Sequence, residues 1–225
     1  MTKKGFCRTI IFMHEPASND ELRPPVGRRN AWLLFFCAAV IVAGLDLWTK
    51  AAVFDLLDVQ NAMRPSPAGG EQVYVARQQE RSVVPGLFDL EANYNYGAFN
   101  GWFSSHTKML AMLSCIALLV IASVLWYSLG RSPAPSRWFV LALGLLAGGT
   151  AGNFYDRFEL QAVRDWIKWY VVVDGKEYVW PNFNIADSGI CAGVILVICL
   201  ELFRKEPQEG PPEEPGQEPT QPSQQ

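Results

Sequence analysis

Four stretches nearly devoid of charge limit the architecture of this chain more than any other feature. Ala31 to Leu45, Met109 to Leu129 and Trp138 to Asn153 contain no Asp, Glu, Lys or Arg, and Ser188 to Phe203 holds only Glu201. About 20 apolar residues cross a bilayer, and tilt or flanking residues relax that length, so the pattern predicts four transmembrane helices. A single buried soluble core is the weaker reading. The 225 residues are 50% hydrophobic and 18% charged only on average, and the average hides segments of opposite character.

The five cysteines, Cys7, Cys37, Cys115, Cys191 and Cys199, have no ligand-like spacing, and four lie inside the apolar windows. They are expected to be small packing residues, with no disulfide framework. The first 30 residues are basic, but their longest apolar run is too short for a signal peptide, so the first membrane helix is expected to act as an uncleaved targeting signal. A net charge of −3 does not point to a nucleic-acid partner.

Orientation follows from Lys and Arg, which resist translocation. Lys3, Lys4, Arg8, Arg23, Arg28 and Arg29 precede the first helix, Arg131 and Arg137 flank the loop between helices two and three, and Arg204 and Lys205 follow helix four. Four spans put all three segments on one side, the cytoplasm, so both termini are cytoplasmic and Asp55 to Thr107 and Phe154 to Asn184 face outward. These outward segments carry basic residues too, so the rule holds in aggregate. In Trp169 to Trp180, aromatic and β-branched residues flank Asp174-Gly175, which suits a tight hairpin turn. Val83 to Asn95 can add strands, whereas Asn61 to Glu71, with Pro65, Pro67, Gly69 and Gly70, reads as loop. Glu206 to Gln225 is Pro, Glu, Gln and Gly with no large apolar residue, which predicts a disordered tail. The fold class is an α-helical integral membrane protein of four helices with a small outward-facing β-rich region.

Ionisable residues in or beside membrane helices cost free energy and need an account. Asp46 and Lys50, four apart at the outer end of helix one, can pair on one helical face, and an anchoring ion pair near the interface explains them. Asp156 and Arg157 sit just past helix three. Asp187 opens helix four, where a carboxylate favours the helix start, and Asp165 by itself is an ordinary loop acid. Together the last two mean more, because the hairpin between them can fold back and bring both carboxylates to the same outer depth. Two such carboxylates cannot both ionise cheaply, so they share one proton. The ionised member can then activate water while the protonated member polarises a peptide carbonyl, with no metal or cofactor. HExxH and GxSxG are absent, and His14 and His106 fall on opposite sides. A Ser105–Lys108 dyad is possible by spacing alone. Gly144, Gly148 and Gly152, like Gly189 and Gly193, recur every four residues, predicting close approach of helices three and four. Asn153 and Asn184 can then hydrogen-bond around the carboxylates, or simply cap helices.

The motifs Asp46-Leu-Trp-Thr-Lys50, Asn95-Tyr-Gly-Ala-Phe99, Gly148 to Arg157, Val163-Arg-Asp165 and Phe183-Asn-Ile-Ala-Asp187 resemble, in order and spacing, those of the bacterial lipoprotein signal peptidases (signal peptidase II). The resemblance covers roughly Ala31 to Phe203. It implies an inner-membrane aspartyl endopeptidase that cleaves a prolipoprotein just before its diacylglyceryl-modified cysteine, near the outer face. Under it, Asp165 and Asp187 match the catalytic aspartates, and Asn95, Gly97, Asn153, Arg157 and Asn184 match residues that support the site or contact substrate. Asp46, Lys50 and Asp156 match motif positions of structural character. The expected partners are the prolipoprotein and membrane lipid, and the expected state is a monomer.

The implied layout is a cytoplasmic extension at 1–30, a membrane peptidase domain at 31–205 with outward loops at 55–107 and 154–184, and the tail at 206–225. In the Asn-x-Gly-Ala motif the family usually has a second Ala where Phe99 stands, which puts the contacts of Phe99 and Asn100 in question. The outward loop after helix one and the hairpin before helix four are long for the family. Against the peptidase stand a transporter or channel subunit with ion-binding acids and a purely structural membrane scaffold.

Overall fold

The computed structural model describes residues 27–59, 62–65, 72–75, 79–97 and 107–203, with 62–65 and 72–75 described by backbone alone. Helix α1 (Arg28–Leu56) is followed by strands β1 (Ala62–Pro65), β2 (Gln72–Val75), β3 (Glu80–Val84) and β4 (Phe88–Asn95). Helices α2 (Thr107–Leu129) and α3 (Arg137–Leu160), strands β5 (Val163–Val173) and β6 (Lys176–Val179), and helix α4 (Ile185–Leu202) complete the order. All four helices are long and apolar enough to cross a membrane.

Helix hydropathy follows position in the bundle. α2 has a mean hydropathy of 2.5 and α3 only 1.2. α3 packs against α1, α2 and α4, and 50% of its span is buried in protein, against 17–22% for the other three. Only a lipid-facing surface has to be apolar, so the enclosed helix is the one that can carry glycines and polar groups.

The glycines pack differently from the expectation. Gly144 and Gly148 face α1, and a Cβ at Gly148 would stand 2.6 Å from the Ala39 carbonyl oxygen. α4 is reached instead through Gly149, whose missing Cβ would collide with the Ala186 carbonyl oxygen, and through Gly189 and Gly193 of α4 itself, which face α1 or α3. The small stripe of α3 therefore serves mainly the α1 contact.

Two helix ends also differ. α1 runs to Leu56 and α3 to Leu160, so Asp46 and Lys50 lie within α1, and Asp156 and Arg157 lie in the last turns of α3 and not past it. Charge ended the apolar windows, but these charged side chains are turned into protein and the helices continue. α3 stops at Gln161, which takes φ 55°, the left-handed conformation usual just after a helix.

The second sheet is antiparallel in the order β3-β4-β5-β6. β5 and β6 join through Asp174 (φ 51°) and Gly175 (φ 75°), so the expected hairpin turn is present. β3 and β4 turn at Pro85-Gly86, with Gly86 at φ 81°, the arrangement of a type II turn. β1 pairs antiparallel with β2, so residues 62–65 are strand where a loop was expected, and the rest of Asn61 to Glu71 lies outside the described residues. The four-stranded sheet sits on the end of α1, where Val53, Phe54 and Leu57 pack against Ala92, Tyr94, Trp166 and Ile167. A second cluster, of Ala31, Phe35, Leu125, Val140, Leu143 and Ala147, ties α1, α2 and α3 at the opposite end. Cys37, Cys115, Cys191 and Cys199 are exposed on the helices and do not fill the core as expected. Cys7, His14, Ser105, His106 and the tail lie outside the described residues.

Candidate active site

β5 and the start of α4 deliver Asp165 and Asp187 to one cavity. Asp165 is the third residue of β5, held in register by pairing with Asn93 of β4. Asp187 is fixed by the helix start: the Asn184 side chain accepts from the Asp187 N–H at 2.9 Å, and Asp187 Oδ2 accepts from the Asn184 N–H at 3.1 Å. This reciprocal capping box makes both bland readings true. Asn184 does cap the helix, and Asp187 does sit at its start.

The same side chains also face each other's neighbours. Asn184 Nδ2 donates to Asp165 Oδ1 at 2.7 Å and to Asn153 Oδ1 at 3.1 Å. Asn153 Nδ2 donates to Asp187 Oδ1 at 2.8 Å, and Asn95 Nδ2 donates to Asp165 Oδ2 at 3.0 Å. Three amides therefore hold the two carboxylates, and among the described residues neither carboxylate forms an ion pair. Gly97 N–H donates to Asn95 Oδ1 at 3.0 Å, and Arg157 reaches the Gly97 carbonyl at 3.3 Å. Arg157 Nε is buried without a hydrogen-bond partner among the described residues.

A charged cluster lies behind this layer. Lys50, fully buried, is 2.6 Å from Asp46 and 3.1 Å from Asp156, and donates to Asn153 Oδ1 at 3.0 Å. Arg164 closes on Asp156 from β5 at 2.7 Å, and Asp46 Oδ1 accepts from the Ala186 N–H at 2.8 Å. The expected interfacial anchor is thus an internal tie between α1, α3, β5 and α4.

A cavity of about 740 Å³ opens over the two aspartates, lined by Asn95, Asn153 and Arg157. Its apolar part is formed by Leu110, Leu113 and Ala117 of α2, Ile190 and Cys191 of α4, and Trp169, Trp180 and Phe183. Burial first, and the neighbouring Asp187 carboxylate second, push Asp165 up to about 8. One buried proton between two carboxyls beside an apolar cleft suits general acid–base attack of water on a bound carbonyl.

The family model for signal peptidase (SPase) II matches residues 38–203. The chain belongs to the signal peptidase II family. Its relatives include the lipoprotein signal peptidase of Rhodopirellula baltica, 33% identical over 180 residues, 75% of this chain and 71% of that protein. The lipoprotein signal peptidase of Sulfurihydrogenibium is 37% identical over 125 residues, 55% of this chain and 74% of that protein. That of Francisella tularensis is 28% identical over 174 residues, 77% and 94%. A bacterial membrane enzyme solved by the in meso method at 2.3 Å superposes with a TM-score of 0.56 at 25% identity, over 80% of this chain and 92% of that one.

As a signal peptidase II family member the chain is a multi-pass membrane protease, and these relatives lend no support to a transporter or channel. All ten residues singled out from the sequence, Asp46, Lys50, Asn95, Gly97, Asn153, Asp156, Arg157, Asp165, Asn184 and Asp187, fall in this one connected network. Phe99 and Asn100 lie outside the described residues. Arg164, the middle residue of the Val163-Arg-Asp165 motif, is the second cation on Asp156. Its signal was its place between an apolar strand residue and Asp165, where an unpaired arginine would be costly. Of the cavity aromatics, Trp169 and Trp180 come from the aromatic-rich hairpin segment and Phe183 opens the Phe183-Asn-Ile-Ala-Asp187 motif.

Proposed function

We propose that this chain is an aspartyl endopeptidase whose catalytic pair is Asp165 and Asp187. The chain removes signal peptides from prolipoproteins, and in our reading the precursor carries a diacylglyceryl group on the cysteine that follows the cut. The observation that carries this reading is the pair of carboxylates lining one cavity, bound by Asn95, Asn153 and Asn184 amides and, among the described residues, paired with no cation. The proton resides on Asp165, and the ionised Asp187 stands at the start of α4, where negative charge is favoured.

Water attacks the scissile carbonyl carbon as Asp187 takes its proton, and Asp165 donates its proton to the carbonyl oxygen. The tetrahedral diol then collapses: Asp165 takes back a proton from one hydroxyl as the C=O re-forms, the C–N bond breaks, and the proton held by Asp187 passes to the departing amine. Arg157, which lines the cavity, binds substrate carbonyl groups. The acyl chains lie along Leu110, Leu113, Ala117 and Ile190, where burial contributes about 0.8 kcal/mol per methylene. The state proposed is a monomer.

Arg28, Arg29, Arg131 and Arg137 gather at the end of the bundle away from the four-stranded sheet. Because Lys and Arg resist translocation, this clustering supports a reading with both termini in the cytoplasm and the catalytic pair near the outer face of the inner membrane. The layout is then an extension at 1–30, a peptidase domain at 31–205 and a cytoplasmic tail at 206–225.

The test compares purified protein acting on a precursor lipidated at the cysteine with the same precursor carrying an equivalent anchor several residues away, at matched membrane occupancy. Selective cleavage of the first is expected, because the lipid must align the bond beside the pair. Equal rates would reject lipid positioning, and cleavage by Asp165→Asn would reject the catalytic pair.

A further inference from the structure

The buried Lys50 ammonium has three N–H donors and no acceptor. It forms ion pairs with Asp46 at 2.6 Å and Asp156 at 3.1 Å, and it donates a hydrogen bond to a neutral group, Asn153 Oδ1, at 3.0 Å. Asp156 already has Arg164 at 2.7 Å, so the bracing of α1 against α3 accounts for the two carboxylates but not for the amide. We infer that Lys50 is a positioning residue for catalysis, holding the Asn153 amide in one orientation through the whole turnover. This rests on Asp165 and Asp187 being the catalytic pair.

A group that can only donate must face the amide oxygen, which leaves Asn153 Nδ2 turned toward Asp187 Oδ1 at 2.8 Å. Asn184 Nδ2 also donates to Asn153 Oδ1, at 3.1 Å, but has alternatives in Asp165 Oδ1 at 2.7 Å and the Arg164 carbonyl at 3.4 Å. The need for a lock comes from the chemistry. While Asp187 is ionised it holds the Nδ2 donor by itself. Once it has taken the proton from water, a turned-over amide would offer it Oδ1 as an acceptor, and the proton would point into the protein and away from the leaving amine. Lys50 forbids that turn in both protonation states.

Its charge acts on the pair as well. The charged groups around Asp165 and Asp187 are Lys50 and Asp46 from α1, Asp156 and Arg157 from α3, and Arg164 from β5. Loss of the ammonium disfavours ionisation of the pair.

The test uses Lys50→Met and the double variant Lys50→Met/Asp46→Asn, which leaves Asp156 with Arg164 and no stranded Asp46 carboxylate. Rates on a lipidated precursor are measured across pH, with thermal unfolding alongside. In the folded double variant, kcat is expected to fall about 100-fold, the scale of a small misplacement, with KM unchanged and the optimum displaced to higher pH. A folded double variant with wild-type kcat and pH profile overturns the inference. A double variant that does not fold also counts against it, because bracing alone then accounts for Lys50. Asp165→Asn is assayed in parallel: activity there would sink the catalytic assignment itself, whereas an inactive Asp165→Asn beside a normal double variant sinks only the role of Lys50.

Discussion

Two pairs of buried aspartates sit in adjacent layers at one end of the bundle, and they differ in what holds them. Asp46 and Asp156 each have a cation at 2.6–3.1 Å, and Asp156 has a second at 2.7 Å. Asp165 and Asp187 have side-chain amides and a backbone N–H instead. A paired cation fixes a carboxylate in its ionised form and joins helices. An amide fixes the position of a carboxyl while leaving its proton free to move. The first layer is thus built to hold, the second to exchange protons, and Lys50 with Asn153 connects the two.

The widest separation between the layers is expected from isosteric neutralisation. Asp165→Asn and Asp187→Asn should each lower kcat/KM by about 10⁴-fold or more, the scale seen when one member of a catalytic unit is lost, with little change in melting temperature. Cleavage of a lipidated precursor by purified variants measures this, and turnover near wild type would dissolve the distinction. Asp156→Asn should do the reverse. Breaking a buried pair leaves charge uncompensated and costs about 3–5 kcal/mol, so thermal unfolding should drop while the folded fraction keeps its rate.

The same contrast explains what could be read from sequence. Helices against lipid must be apolar, so the four windows announced themselves. Their ends did not, because Asp46, Lys50, Asp156 and Arg157 continue helices by turning inward, and a hydropathy window treats inward and outward charge alike. Asp165 and Asp187 stood out through their motifs and their position around a hairpin. That Asn153 joins Lys50 to Asp187 was not legible, since residues 50, 153 and 187 meet only through packing of α1, α3 and α4. The partner of each glycine was hidden for the same reason. Gly149, one place off the Gly144-Gly148-Gly152 stripe, is the α3 glycine that meets the α4 backbone.

That displacement yields the next effect in size. Gly149→Ala puts a Cβ against the Ala186 carbonyl and should cost about 1–3 kcal/mol by overpacking. It should also lower activity, because Ala186 adjoins Asp187. Gly44, which has nothing within 4 Å of its missing Cβ, provides the control: Gly44→Ala should leave the rate alone and, as a helix-interior change, not lower the melting temperature. Equal behaviour of the two variants would contradict the packing of α3 on α4.

Proton exchange should also appear in the pH profile. Asp165 is raised from its ordinary 3.8 to about 8, by burial and then by Asp187. The sign follows directly: the shared proton is held below about 8 and lost above it, so kcat/KM should fall about tenfold per unit as pH rises past that value. The contribution to stability has the same sense, fully present below 3.8 and lost as pH rises through about 8. A rate that stays flat to pH 10 would mean that the pair holds no proton of catalytic use.

The smallest effect tests whether burial, and not distance, separates a bracing ion pair from an incidental one. Lys168 of β5 lies 3.0 Å from Glu80 of β3, much like the 3.1 Å between Lys50 and Asp156, but the Glu80 side chain is 46% exposed where Lys50 and Asp156 are 0%. Water solvates Glu80 whether or not it is paired, and Lys168 retains Glu91 at 3.7 Å as a second partner. Glu80→Gln should therefore cost about 0.2–1 kcal/mol, the range for exposed pairs, and leave cleavage unchanged. Salt offers a second reading of the same contrast, because mobile ions screen exposed charges far better than buried ones. In 1 M salt, Glu80→Gln and the parent should melt together, whereas Asp156→Asn should remain well below both. If Glu80→Gln proves as damaging as Asp156→Asn, the strand pairing of β3 on β4 and β5 depends on surface charge, and burial is not what sets the internal cluster apart.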